Sequence, residues 1–276
     1  MKETKRVLFV NSEILPYLPE TKYSAIGRYL PQGIQERGKE IRSFMPRYGC
    51  INERRNQLHE VIRLSGMNVV INDIDRPLVI KVASISAARM QVYFTDNDDY
   101  FHRKQIFENE EGQFFEDNDE RAIFFARGIL ETVKKLRWKP DIIHCNGWIS
   151  HLVPLFLKKA YKNDPIFTDA KVVVSIYDEY MNEAFDSEMK NKISMPGIKP
   201  KDMELLNEPN GINLAKLALQ YSDGLIKGVE SINPEVEEFA KAQGLPILEY
   251  VEQVQPSGEY IDRYNEFYDK ILDEVR

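Results

Sequence analysis

The sequence predicts an α/β fold: a single Rossmann-like domain over residues 1–276, built on a mostly parallel sheet. Short apolar runs at residues 6–11 and 171–176 are typical of strands that are buried on both faces. Stretches with helical periodicity separate such runs, and this alternation favours parallel pairing through helical crossovers. The chain is also long enough to bury a proper core without disulfide or metal staples.

Turn and cap signals define the first β-loop-α-β unit. The strand at residues 6–11 leads into a turn-rich segment, and residues 24–37 then have helical periodicity. This helix ends at Gly38, a residue type that is common just past a helix C-terminus. Pro31 lies inside it, so we expect a kink or a helix start near that point. Residues 41–46 return as the second strand.

Residues 60–95 are predicted to form an antiparallel excursion from the main sheet. Its β-rich runs are residues 69–71, 78–82 and 91–94. The predicted turn between the first two runs is residues 72–77, which contain Asn, Asp and Pro. Asp73 and Asp75 match the D-x-D pattern of metal-dependent transferases, but ordinary turn chemistry accounts for both of them.

The second half of the chain continues the alternation of helices and strands. Residues 117–136 form a strong helix that Asp117 or Asn118 can cap. The other predicted strands are 141–145, 171–176, 224–228 and 246–251, and the other helices are 148–161, 212–221, 234–243 and 259–275. The last helix has an apolar stripe that ends at Val275. Residues 181–210 are polar and irregular, so we expect a mobile loop or lid there.

Composition and charge exclude several classes of protein. With 37 basic and 44 acidic residues the net charge is −7, which disfavours nucleic acids and anionic membranes as partners. We expect a cytoplasmic protein, because no apolar run approaches the roughly 20 residues of a membrane span or resembles a secretion signal. Cys50 and Cys145 form no C-x-x-C pair, and the sequence contains no P-loop, dinucleotide-binding, zincin or serine-hydrolase motif. We expect neither a metal nor a cofactor.

A candidate site can be placed from topology alone. In a doubly wound sheet, ligands bind beyond the carboxyl ends of the strands. The segments that follow the predicted strands there are residues 11–24, 144–148, 177–182 and 228–233. Any functional site should be assembled from these segments.

Several motifs follow one another in an order and spacing that is specific. They are Val-Leu-Phe-Val-Asn-Ser-Glu-Ile-Leu-Pro at 7–16, Leu30-Pro31, Met-Pro-Arg-Tyr-Gly at 45–49, residues 92–101, residues 117–127, Pro-Asp-Ile-Ile-His-Cys at 140–145, Trp148 and residues 152–155. Over roughly residues 5–240 the chain therefore resembles bacterial glycogen and starch synthases. The resemblance implies the N-terminal, acceptor-side half of a GT-B glycosyltransferase. Such enzymes transfer glucose from ADP- or UDP-glucose to an α-1,4-glucan, and a second Rossmann-like lobe chiefly holds the nucleotide sugar.

The chain departs from this family pattern at the implied active site. The family's Lys-Thr-Gly-Gly loop falls on residues 19–22, so that a proline stands where the resemblance implies a lysine for the donor phosphates. Lys22 lies three positions later. The two histidines that the resemblance implies fall on Asn146 and Tyr177. We expect the second lobe to be absent, with residues 257–276 forming a closing helix.

Seven residues are candidates for substrate binding, and none is a candidate for catalysis. They are Glu13, Thr21, Lys22, Asn146, Trp148, Tyr177 and Asp178. Ordinary roles compete with this interpretation, because Trp148 fits core packing and Lys22 fits a surface lysine. His144 follows a buried strand and is equally well explained as a core histidine.

Three hypotheses for function follow. The leading one is a degenerate glycosyltransferase domain that binds a glucan or oligosaccharide without turnover of its own. Loss of one charge-stabilising hydrogen-bond donor typically lowers the rate of an enzyme by about 10²–10³. Because this chain has lost several, we expect little activity. We also do not expect productive binding of a nucleotide sugar. The second hypothesis is half an enzyme, completed by a separate donor-binding chain. The third is an interaction module whose face toward the missing lobe closes a homodimer.

Overall fold

The structure, a computed structural model, describes residues 4–253 and 258–273. The strands are β1 (Arg6–Asn11), β2 (Glu40–Pro46), β3 (His59–Glu60), β4 (Met67–Ile71), β5 (Ile74–Ile85), β6 (Met90–Asp96), β7 (Ile142–Asn146), β8 (Lys171–Ile176), β9 (Gly224–Lys227) and β10 (Ile247–Leu248). The α-helices are α1 (Lys22–Glu36), α2 (Asp98–Phe101), α3 (Asn118–Leu136), α4 (Val153–Lys159), α5 (Met189–Ile193), α6 (Gly211–Gln220), α7 (Pro234–Ala242) and α8 (Glu259–Asp273). Short 3₁₀ segments lie at Ser86–Ala88, Trp148–Ser150 and Pro200–Asn207.

The sheet confirms the predicted α/β class. Its strand order is β10-β9-β8-β7-β1-β2-β6-β5-β3, and β4 pairs with β5 off this path. Pairing is parallel from β10 to β6, whereas β5 pairs antiparallel with β3, β4 and β6, which confirms the predicted excursion. The strand order reverses between β1 and β7, and this switch point is where a doubly wound sheet opens a crevice for ligands.

Alternate residues of the central strands pack into two separate cores. On one face, Leu8 and Val10 of β1 join the large core that includes α3, α4 and α6. On the other face, Val7 and Phe9 join a smaller core with α1 and α8. Arg37 at the end of α1 pairs with Asp262 of α8 at 2.5 Å, so α8 also has a polar link to α1.

Helix α1 starts earlier than Pro31 suggests. Thr21 caps it, because its Oγ1 accepts from the Ser24 amide at 3.0 Å, while the Ser24 hydroxyl accepts from the Thr21 amide at 2.8 Å. Pro31 lies within the helix, which excludes the start that was one of the two expectations there, and the other, a kink, stays a prediction. Gly38 has φ +85°, as expected for the residue after a helix C-cap.

Three local predictions were wrong in detail. The turn at 72–77 shrinks to Asn72 and Asp73, whose φ angles of 50° and 60° fit a two-residue hairpin turn, so that Ile74 already belongs to β5. The helix expected over 148–161 divides into a 3₁₀ turn and the shorter α4. Asp117 occupies the N-cap of α3, but its side chain makes no capping hydrogen bond and instead pairs with Arg103.

The segment 181–210 contains helices rather than an irregular loop. It includes α5 and the 3₁₀ segment at Pro200–Asn207, and α5 buries Met189 and Ile193 completely. Lys192 of α5 is also buried, and its Nζ lies 2.7 to 3.2 Å from carboxylate oxygens of Asp119, Glu120 and Asp186. The pattern was missed because the helices are short and many of their exposed positions are polar. Val275, the last residue of the predicted stripe on α8, lies outside the described residues.

Candidate functional site

The loops that follow β1 and β7 meet at the switch point. The Ser12 amide donates to the Asn146 carbonyl at 2.9 Å, which continues the pairing of the two strands past their ends. Gly147 follows with φ +97°, and a Cβ at this residue would lie 2.3 Å from Ser12 Oγ. Only glycine combines this backbone conformation with so close an approach.

A buried polar chain ties the carboxyl ends of three strands together. The Tyr177 hydroxyl donates to Asn146 Oδ1 at 2.6 Å, and Asn146 Nδ2 donates to Asn11 Oδ1 at 3.2 Å. Burial raises the pKa of Tyr177 well above its ordinary value, so the hydroxyl stays protonated. The two positions where the family resemblance implies histidines are therefore hydrogen-bonded to each other as neutral groups.

Glu13 lies beside the start of α1. Its Oε2 accepts from the Thr21 hydroxyl at 2.8 Å, so the helix cap also orients this carboxylate. Burial raises the pKa of Glu13, and the bond from Thr21 opposes that shift. The position of Glu13 beside α1 depends on Gly27. A Cβ at Gly27 would lie 2.3 Å from the Glu13 carbonyl oxygen and would push α1 away.

Lys22 lies at the same carboxyl edge of the sheet, where two acidic side chains pair with its ammonium group. Its Nζ lies 2.9 Å from Asp178 Oδ1 and 3.3 Å from Glu179 Oε1. The ammonium also lies 5.5 and 5.7 Å from the ring centroids of Tyr23 and Tyr177. The hydrogen bond from Lys22 lowers the pKa of Asp178. We call these two rings and two carboxylates the lysine cage.

A cavity of about 410 Å³ opens next to these residues. Its lining combines apolar and aromatic side chains with polar ones: Leu18, Pro19, Ile106, Phe107, Tyr180, Cys50, Lys104, Gln105, Glu108 and Asn109. Trp148 is buried behind this wall, 4.8 Å from Phe107 and 6.2 Å from Tyr180 between ring centroids. Trp148 therefore supports the aromatic lining rather than presenting its own face.

The structure brings most of the predicted site residues together. Glu13 contacts Thr21, and Lys22 and Asp178 meet at Tyr177, which bonds to Asn146. Whether these residues bind substrate stays a prediction. Three members of the site were not among the candidates predicted from the sequence: Tyr23, Phe107 and Tyr180. Tyr23 and Tyr180 each lie in a segment that was expected to follow a strand, 11–24 and 177–182, whereas Phe107 lies outside every such segment.

His144 has a structural role. Its Nδ1 lies 2.7 Å from the Tyr268 hydroxyl of α8, and its Nε2 lies 2.6 Å from Ser175 Oγ. Burial lowers the pKa of His144 to about 3, so the ring stays neutral. No group of three or more His, Cys, Asp or Glu within residues 4–253 and 258–273 could hold a metal ion. In the same part of the chain, no helix is both long and apolar enough to cross a membrane.

The fold is a doubly wound α/β domain with its switch point between β1 and β7, and it has a solved structural neighbour. The catalytic domain of Starch Synthase IV from Arabidopsis thaliana, bound to ADP and acarbose, matches 81% of this chain and 45% of its own with a TM-score of 0.66 and 17% identity. The family model for the starch synthase catalytic domain matches residues 6–246. The chain therefore belongs to the starch synthase catalytic domain family.

Curated relatives agree with this family but are longer. Glycogen synthase of Chlorobium limicola is 39% identical over 63% of the chain, which covers 36% of the relative. The glycogen synthases of Chlorobaculum parvum and Chlorobium phaeovibrioides are 34% and 31% identical, over 79% and 87% of the chain. The matched parts cover 44% and 49% of those two relatives. The chain thus spans about half the length of the relatives it matches, or less.

Proposed function

We propose that this domain binds an α-glucan or a related oligosaccharide at the cavity beside Tyr180. We further propose that, on its own, it neither binds a nucleotide sugar productively nor transfers glucose. Membership of the family supports the saccharide class. The acidic side chains around Lys22 support the proposed loss of nucleotide-sugar binding. This arrangement of charges is the single observation that carries the proposal.

A diphosphate leaving group needs cationic or amide donors around it. Lys22 is the cation that projects to this edge beside Tyr177, and its charge is opposed by Asp178 and Glu179 within 3.3 Å. Glu13 adds a further carboxylate nearby. The cleft is therefore electrostatically unfavourable for a diphosphate, and a neutral saccharide avoids this repulsion.

The cavity beside the lysine cage has the chemistry that sugars require. The half-buried Tyr180 supplies a flat apolar face for the C–H face of a glucose ring, with the buried Phe107 ring packed 5.5 Å from it between centroids, while Gln105, Glu108 and Asn109 supply hydrogen-bonding groups for hydroxyls. A volume of about 410 Å³ accommodates about one to two glucose units. We propose that this cavity, rather than the buried Asn146–Tyr177 pair, is the contact surface for the saccharide.

The two alternative functions, a half-enzyme and a homodimer, need an apolar face toward the missing lobe. Among the described residues, the large hydrophobic side chains with the greatest exposure are Ile62, Val70, Ile74 and Tyr250. Only Tyr250 follows the carboxyl end of a parallel strand, β10. This distribution favours saccharide binding over both alternatives.

We expect maltooligosaccharides to bind the purified chain and Tyr180→Ala to weaken that binding about tenfold, because truncation removes an aromatic anchor of the cavity. Isothermal titration measures both affinities. Tyr250→Ala is the matched control, since Tyr250 lies at the same edge but outside the cavity, and its affinity should equal that of the unaltered chain. Equal affinities for the Tyr180 and Tyr250 variants would refute the assignment of the cavity. Glucose incorporation by the pure chain would refute the lack of activity.

The charge argument has its own test. ADP should show no measurable binding to the unaltered chain, whereas Asp178→Asn/Glu179→Gln should bind it measurably, because both neutralised side chains release Lys22. The gain should disappear in high salt. Glu183→Gln, in the same loop but outside the lysine cage, is the control. Tight binding of ADP by the unaltered chain would contradict the proposal.

A further inference from the structure

A second cavity of about 430 Å³ lies at the opposite end of the sheet, where β2 and β6 begin. Its polar lining includes Gln35, Arg42, Ser84, Ser86, Arg89 and Gln91. A seven-residue strand such as β2 spans about 20 Å, so this amino-edge cavity is well separated from the lysine cage. Its volume lies in the range of small-molecule sites.

Arg42 is held rigidly in this cavity without a carboxylate partner. Its guanidinium carbon lies 5.6 Å from the Tyr93 ring centroid and 5.3 Å from that of Trp138, and its Nη1 donates to the Tyr93 hydroxyl. Its Nε is buried and has no hydrogen-bond partner. Within the described residues, Arg42 forms no ion pair with a carboxylate. The guanidinium of Arg42 is therefore fixed by its two ring contacts and its bond to Tyr93, with no carboxylate opposing its charge.

Glu40 is the acidic residue of the lining, but other donors hold it. Its Oε1 accepts from Trp138 Nε1 at 2.5 Å, and its Oε2 accepts from Arg6 Nε at 3.0 Å. These bonds, together with the nearby Arg6 and Arg42 charges, lower the pKa of Glu40 despite its partial burial. Glu40 is therefore satisfied within the protein and leaves donor capacity on Arg42 free.

Arg89 adds a second cation to the same lining. It follows the 3₁₀ turn at Ser86–Ala88 with φ +51°, a backbone conformation that is uncommon for arginine. Like Arg42, it forms no ion pair with any described residue. The lining therefore carries two guanidinium groups and one carboxylate, Glu40, which Trp138 and Arg6 already bind.

We propose that the amino-edge cavity binds a phosphate monoester carried on a small polyhydroxylated body, such as a monosaccharide phosphate. Two guanidinium groups match the charge and the acceptor oxygens of a phosphate. The Ser84 and Ser86 hydroxyls and the Gln35 and Gln91 amides can bond to hydroxyl groups on the rest of the ligand.

The test is titration of the full chain with ribose 5-phosphate, inorganic phosphate and ribose. Ribose 5-phosphate should bind one-to-one and more tightly than inorganic phosphate, and ribose alone should show no binding. Arg42→Gln and Arg89→Gln should each weaken ribose 5-phosphate binding by about tenfold or more, because each removes a charged hydrogen-bond donor. Arg63→Gln is the matched control, since Arg63 is exposed and lies outside the cavity.

The outcomes separate the parts of this proposal. No saturable binding of ribose 5-phosphate up to about 10 mM would overturn it, as would equal affinities for Arg89→Gln and Arg63→Gln. Arg89 has no packing role comparable to that of Arg42, so its variant remains informative if Arg42→Gln destabilises the fold. Equal affinities for ribose 5-phosphate and inorganic phosphate would overturn the proposal that the ligand carries a polyhydroxylated body. Maltooligosaccharide affinity should be unaltered in every variant, because that site lies at the other edge.

Discussion

Gly147→Ala should lower the free energy of unfolding by about 3 kcal/mol. Two effects add at this position. A side chain at φ +97° is strained by itself, and the new Cβ would lie 2.3 Å from Ser12 Oγ and 2.7 Å from Ser12 Cβ. Relief would require the β1 and β7 loops to separate, which breaks the bond from the Ser12 amide to the Asn146 carbonyl. Urea denaturation measures the loss.

Gly38→Ala is the matched control for Gly147. Gly38 has φ +85°, but a Cβ there meets nothing within 4 Å. Its replacement should therefore cost only the backbone strain, about 1 kcal/mol. If the two variants lose the same stability, the close approach of the β1 and β7 loops is not a significant constraint on the fold.

Lys192→Met should destabilise the protein by about 3–5 kcal/mol at neutral pH, because it leaves buried carboxylates without their cation. Asp119 is fully buried, and its Oδ2 lies 2.9 Å from Lys192 Nζ. Burial already raises the pKa of Asp119, while the bond from Lys192 opposes the shift. Thermal and urea unfolding of the variant measure the cost. The matched control is Lys190→Met, since Lys190 lies on the same helix with an exposed bond to Asn207.

The loss of stability in the Lys192→Met variant should depend on pH. Without Lys192 the pKa of folded Asp119 rises further above its unfolded value, so folding takes up a proton. Stability contributed by such a group is present below the unfolded pKa and is lost as pH rises through the folded pKa. The difference from the unaltered chain should therefore be smaller near about pH 5 than near about pH 8. A deficit that stays constant across this range would show that Asp119 is not the group left uncompensated.

Most of the fold could be predicted because its signals are local. Buried strands such as β8 have continuous apolar runs, and α1 ends at a glycine with the expected positive φ. The errors occurred where tertiary contacts decide local structure. Pro77 suggested a turn, but it lies in β5 opposite Asn68, where strand pairing tolerates it. The helix α5 was missed because it has only five residues and one of its three buried side chains, Lys192, is charged and buried beside its carboxylate partners.

The site was harder to predict than the fold. Asn146 and Tyr177 could be placed together because both follow parallel strands. Lys22 and Asp178 could also be placed at one edge, because they lie in segments that follow β1 and β8, but the pairing of Lys22 with both Asp178 and Glu179 could not, since it depends on side-chain geometry. The cavity depends on Phe107, which comes from the irregular segment between α2 and α3, where periodicity carries no information. Family resemblance indicated the substituted positions, such as Asn146, but not the groups that surround them.

Helix α8 lies beyond residue 246, where the match to the family model ends. It nevertheless supplies Tyr260, Tyr264, Phe267, Tyr268 and Ile271 to the core beneath β1, β7, β8 and β9. A chain shortened at the recognised boundary would leave Phe9 and Val173 facing water on an uncovered sheet. The part of the chain that matches the family model therefore buries one face of its sheet against residues outside that match.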